Sequence, residues 1–96
     1  MELAIGIILG CCALAAGFCM AIGSIGPALG EGGAVAKACE TIGRQPESKG
    51  AVTSTMIMGC AIAETTGIYA LVISILLIFV APNMFVNVLL KAVGLR

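Results

Sequence analysis

The chain has 96 residues, of which 60% are hydrophobic and 10% charged, with a formal net charge of +0. Soluble domains use about 45–50% apolar residues, and a mean hydropathy of +1.17 lies outside that range. The five basic residues form no patch, so neither nucleic acid nor an acidic partner is indicated. A transmembrane helix takes about 20 apolar residues, so the length fits two spans and no separate soluble domain.

Residues 3–30 carry no charge, and Glu31 follows. A cleaved signal peptide is the rival reading of this segment, but such peptides open with a positive stretch and hold an apolar run of about 7–15 residues. This chain opens Met1-Glu2 and its apolar run is far longer, so a retained span is expected. Helix 1 is predicted over about residues 3–42. Within it Gly23, Gly26, Gly30, Gly32 and Gly33, with Ala21, Ser24, Ala28 and Ala34, make a run of small residues around Pro27. Small residues let membrane helices approach closely, because lipid supplies no hydrophobic drive and packing must. Gly26 and Gly30 alone would serve one dimer face. Small residues at every second position suit a helix crowded by copies of itself, as in the inner wall of a ring. The plain alternative is a glycine-rich helix of no special purpose. Pro27 is read as a local bend, of a kind that membrane helices tolerate.

The polar run Arg44-Gln45-Pro46-Glu47-Ser48-Lys49-Gly50 joins the two segments and is short enough to enforce an antiparallel hairpin. The loop proper is predicted at about residues 43–47. Lys37, Arg44 and Lys49 lie on this side, which by the positive-inside rule places the loop in the cytoplasm and both termini outside. Lys91 and Arg96 at the far end weaken that bias. Lys37 and Glu40, three residues apart, are placed to pair on one helix face.

Helix 2 is predicted over about residues 48–81. Both helices then exceed the roughly 30 Å hydrocarbon core at about 1.5 Å per residue, so their loop ends should project into the cytosol. Pro82-Asn83 should bend or end helix 2 near the outer interface. An apolar stretch from Met84 to Leu90 continues for a turn or two within a C-terminal extension of about residues 83–96. Five cysteines, Cys11, Cys12, Cys19, Cys39 and Cys60, show no metal-ligand spacing and there is no histidine; they read as small apolar filler.

Residues 50–90 carry a single charge, Glu64. A carboxylate at a bilayer centre costs roughly 2.5–3.5 kcal/mol even on lenient scales, so it reads as part of an ion or proton pathway. Glu31 lies thirteen residues before Arg44 and Glu64 fifteen after Lys49, which is about 20 Å and about 23 Å from the loop at helical rise. The two carboxyls therefore share a level, and one site can use both. Glu64 is followed by Thr65 and Thr66, and by Tyr69 five residues on. Carboxylate, hydroxyl and carbonyl oxygens are what a hard cation takes, whereas a proton needs only the carboxyl. Thr65 is thus the residue that speaks for a cation, although threonines in membrane helices also bond back to their own backbone. Tyr69 lies too deep for an interface belt, and its phenol needs a local partner, for which Glu64 is the obvious acceptor. Two carboxylates with one monovalent cation would leave a net negative charge in low dielectric. The escape is that one of them, assigned to Glu31, keeps its proton and donates to Glu64 or ligates through its carbonyl oxygen.

With these residues in view the chain resembles the c subunit, or proteolipid, of F-type ATP synthases. The likeness runs from the small-residue stretch through Gly43-Arg44-Gln45-Pro46-Glu47 to Glu64 and Tyr69. It implies an all-α membrane protein, a single hairpin domain over residues 1–96 whose two transmembrane helices assemble into a homo-oligomeric ring, with the glycine-rich helix inside. It implies rotation against the stator a subunit, whose arginine releases the ion from Glu64, and a loop at Arg44, Gln45 and Pro46 gripping the central-stalk γ and ε subunits. A bacterial plasma membrane is the expected location. The sodium-binding branch is the closer match: by that resemblance Na+ is held by Glu31, Glu64, the Thr65 hydroxyl and the Ile62 carbonyl, with Thr66 holding a water and Tyr69 fixing Glu64. Gly23, Gly26, Gly30 and Gly32 would pack the inner helix. Glu31 stands where many members carry glutamine, which favours proton competition. Ser24 and Ala28 stand at glycine positions of the family, so ring size does not carry over, and the tail after Pro82 is longer than the minimal pattern.

The alternatives are the same rotor running on protons, a rotor of the vacuolar or archaeal type, a small oligomeric membrane transporter, and a structural hairpin. The Arg44-Gln45-Pro46 loop argues against the second, two spans rather than four against the third, and the cost of two membrane carboxyls against the last. No nucleophile–base pair and no phosphate loop is present, so the chain is expected to be no enzyme and to hold no cofactor beyond the coupling Na+ or H+.

Overall fold

The structure, a computed structural model, describes residues 1–94. Helix α1 covers Glu2–Gly23 and α2 Ile25–Arg44, with Ser24 as a single turn residue between them. After Gln45 comes a short 3-10 turn, Pro46–Ser48, then α3 over Lys49–Phe79 and α4 over Ala81–Ala92, separated by Val80. The two stretches of helix on either side of Gln45 are each long and apolar enough to cross a membrane. Together they form the expected all-α, two-span hairpin.

Both interruptions trace to proline. Pro27 has no N–H to give the carbonyl four residues back, that of Gly23, and its ring crowds that carbonyl. The ladder resumes one residue later, where Ala28 N–H donates to the Ser24 carbonyl at 3.2 Å. Ser24 itself keeps right-handed helical angles, φ −87 and ψ −14, so the single helix expected over residues 3–42 is broken without a change of hand. Pro82 acts in the same way on the Ile78 carbonyl. Val80 N–H still reaches the Leu76 carbonyl at 3.0 Å, and Met84 N–H picks up that of Val80 at 3.3 Å. The segment beyond is longer than the turn or two expected: α4 has 12 residues and closes on Gly94, whose φ of +77 suits a residue without a side chain. Arg96 and the last residues of the predicted extension lie outside the described residues.

The loop is tighter than residues 43–47. Gly43 and Arg44 stay helical, and Gln45 alone leaves helical geometry, at φ −133 and ψ 81. Its N–H closes α2 on the Thr41 carbonyl at 2.9 Å, and its carbonyl accepts both the N–H and the hydroxyl of Ser48, at 2.9 and 2.7 Å. Pro46 opens the following turn, where a missing N–H costs nothing. The expected Lys37–Glu40 pair forms at 3.4 Å, and Glu40 also meets Arg44 at 2.8 Å.

The described residues group into two compact units. In the first, Met1–Ala21 with the segment from Ala70 onward, α1 packs on the end of α3 through Cys12, Ala16, Ala70 and Ser74, each at most 8% exposed. Ser74 hydroxyl donates to the Ala16 carbonyl at 3.0 Å and Cys19 thiol to the Ala70 carbonyl at 3.5 Å. Small side chains bring the backbones close enough for these bonds. The second unit, Ile22–Tyr69, is the hairpin of α2 and most of α3. In both units the large apolar side chains point outward: Leu3, Leu29, Ile62 and Phe79 are 69–78% exposed. That inversion fits a chain whose surroundings are lipid and other helices rather than water.

Candidate functional site

All the residues expected at the site fall in the second unit, on the facing stretches of α2 and α3. Glu31 sits in the second turn of α2 and Glu64 at the middle of α3, with their carboxyl groups close enough to interact. The two carboxyls thus lie near one level of the hairpin. Two carboxyls this close can hydrogen-bond only when one of them carries a proton.

One turn after Glu64, Gly67 is buried. A Cβ placed there would lie 3.4 Å from Oε1 of Glu64 and 3.6 Å from Cγ of Pro27. Proline of α2, glycine of α3 and the Glu64 carboxyl therefore meet at one level. Sequence reading took Pro27 for a bend only and passed over Gly67; its place three residues after the membrane glutamate was the available signal.

The hydroxyls are engaged within their own helix. Thr65 Oγ1 donates to the Ala61 carbonyl at 3.3 Å and Thr66 Oγ1 to that of Ala63 at 2.9 Å. This is the back-bonding weighed against a ligand role. The two roles are compatible at Thr65, because a hydroxyl that has given its one proton to a carbonyl keeps lone pairs for a cation. Tyr69 is 62% exposed and its phenol has no hydrogen-bond partner among the described residues, so Tyr69 and Glu64 are not joined within one chain. Ile62 is 69% exposed. Glu64, Thr66 and Tyr69 are thus presented on open surface beside the carboxyl pair, and Thr65 is half-buried.

Away from this level, toward the loop, the hairpin holds an open groove of about 490 Å3 between α2 and α3, lined mainly by Ala34, Ala38, Val52, Met56 and Cys60 with Lys37 at its edge. It contains neither carboxyl and is not part of the site. A Cβ at Gly26, Gly30 or Gly32 would meet open space within one chain. Arg44, Gln45 and Pro46 are exposed at the loop.

The family model for the ATP synthase c subunit matches residues 14–77. ATP synthase subunit c 2 of Cereibacter sphaeroides is 55% identical over 69 residues, 72% of this chain and 83% of that protein. The ATP synthase c subunit of Natranaerobius thermophilus is 49% identical over 76 residues, 79% of this chain and 87% of its own length. That of Thermotoga maritima is 49% identical over 67 residues, 70% and 79% of the two chains. The matched region contains both carboxyls, the loop and Tyr69.

Proposed function

Because the chain belongs to the family of ATP synthase c subunits, non-catalytic rotor proteins of the membrane sector, we propose that it carries Na+ at the Glu31–Glu64 level. The observation behind this reading is the contact of two membrane carboxyls beside a hydroxyl whose proton is already committed. The Glu64 carboxylate supplies the charge, Glu31 and Thr65 supply neutral oxygens, and the Ile62 carbonyl and a water on Thr66 complete the shell. A monovalent cation then leaves the site neutral, which low dielectric favours.

The whole chain is read as one hairpin domain that forms a ring with identical copies. Open space at Gly26, Gly30 and Gly32 leaves room for a neighbouring helix. A copy packed over Ile62 and Tyr69 covers their exposed apolar surface and lets the Tyr69 phenol reach a carboxylate. The ring turns against the stator a subunit, each Glu64 exchanging its ion on the way. The exposed Arg44-Gln45-Pro46 tip engages the γ and ε subunits from the cytoplasmic side, with both termini on the outer side of a bacterial plasma membrane. Each elementary charge moved through 100 mV supplies about 2.3 kcal/mol, and this work is what the rotor passes to the catalytic sector.

Protons are the second reading, favoured by the closeness of the two carboxyls, which one proton can bridge. Carbodiimide modification of Glu64 in the purified oligomer separates the two. Protection by millimolar sodium that fades in acid is expected. Modification indifferent to sodium at every pH would leave the proton rotor.

A further inference from the structure

We propose that Gly67 is a positioning residue for Glu64: its missing side chain is the space in which Pro27 of α2 and the Glu64 carboxyl of α3 close on one another. The proposal rests on Glu64 being the ion carrier and deepens that reading by naming what sets its carboxyl.

Gly67 is buried, and the atoms nearest to a Cβ built on it are Glu64 Oε1 at 3.4 Å and Pro27 Cγ at 3.6 Å. Gly30, Gly32, Gly33 and Gly59, on the same two helices, have open space at that position. A glycine in a helix interior costs about 1 kcal/mol relative to alanine, and here it has a local use. Residue 67 is one turn from Glu64 on the same face, so a side chain there would occupy the volume the carboxyl now leans over. Pro27 is one turn before Glu31 on α2, so anything that pushes Pro27 away also moves Glu31 away from Glu64. A group larger than a methyl at residue 67 would therefore act in two ways, turning the carboxyl aside and holding off the helix that bears its partner. An alanine would sit at the near edge of ordinary contact. The branched carbons of a valine would reach beyond that contact from a buried position.

A proton and a cation respond differently to such a displacement. A proton needs one carboxyl oxygen, whereas a cation needs several oxygens at fixed distances. Groups that only orient a ligand commonly change metal affinity by about 10–100-fold when altered. Gly67 therefore acts on sodium more than on protons.

The test compares the wild type, Gly67→Ala, Gly67→Val and the double variant Gly67→Val/Pro27→Ala as detergent-purified oligomers. Glu64 modification by dicyclohexylcarbodiimide is followed against both sodium chloride and pH, and assembly is checked on gels. For Gly67→Val the sodium concentration giving half-protection is expected to rise by about tenfold or more, with a smaller rise for Gly67→Ala. Removing the proline ring in the double variant should restore much of the loss, which a general packing defect would not predict. Should the valine variant fail to assemble, the alanine variant decides by the direction of its shift. Wild-type sodium and pH dependence in the variants overturns the proposal, as does a defect that Pro27→Ala leaves untouched. A wild type insensitive to sodium defeats the sodium reading alone. The proposal is then read from the pH midpoint of modification, which must move in Gly67→Val and return in the double variant.

Discussion

Glu31 and Glu64, thirty-three residues apart in sequence, bring their carboxyl groups within reach of one another, Glu31 from the second turn of α2 and Glu64 from the middle of α3. A carboxylate exposed to hydrocarbon is costly, and one proton shared by a carboxyl pair removes one of its two charges. On the sodium reading the proton stays on Glu31, and a monovalent cation balances the single charge left on Glu64.

Glu64→Gln keeps the size of the side chain and a hydrogen-bonding group opposite Glu31, but removes the charge an ion needs. Ion translocation in proteoliposomes should be abolished while the detergent-resistant oligomer still forms. Residual translocation at the wild-type rate would take Glu64 out of the mechanism.

Glu31→Gln should extend sodium protection of Glu64 to lower pH. The amide still donates to Glu64 and offers a carbonyl oxygen, and it brings no proton of its own to compete. An unchanged acid limb in the carbodiimide titration would mean that Glu31 takes no part in proton competition.

Thr65→Ala removes a hydroxyl that donates to the Ala61 carbonyl at 3.3 Å. That carbonyl keeps its helical N–H partner, so stability should change by no more than about 1 kcal/mol. Sodium affinity should fall by about tenfold, or about 1.4 kcal/mol, with proton binding much less affected. Equal losses for the two ions would reduce Thr65 to back-bonding.

Ser74→Ala tests the first unit. The buried Ser74 hydroxyl donates to the Ala16 carbonyl at 3.0 Å, and interhelical bonds of this kind in membranes are worth about 0.6 kcal/mol on average. A small drop in the thermal dissociation midpoint of the oligomer is expected. Ser74→Leu should be far more damaging, since the residue is only 6% exposed.

The charges near the loop should matter less. Glu40 bridges Lys37 at 3.4 Å and Arg44 at 2.8 Å, but all three are well exposed. Exposed pairs contribute about 0.2–1 kcal/mol each, so Glu40→Gln should shift thermal stability slightly and leave the sodium dependence of Glu64 modification unchanged.

The sequence by itself determined the two apolar spans, the polar turn between them and the matched depth of Glu31 and Glu64. Composition and helical rise act along one helix at a time and need no partner to be read. Lys37–Glu40 was legible for the same reason, as a contact within one turn. What the tertiary structure decided is where two helices meet. Pro27 and Pro82 were visible as disturbances, but whether each bends or breaks its helix depends on how the freed Gly23 and Ile78 carbonyls are accommodated by the surrounding backbone. A threonine that bonds back to its helix and one that ligates look alike in sequence, and only the folded helix shows Thr65 and Thr66 bonded to the Ala61 and Ala63 carbonyls. Gly67 carried no signal beyond its place three residues after Glu64. Its use appears only when Pro27, forty residues away, is brought against it, because a missing side chain has no property of its own until something fills the space it leaves.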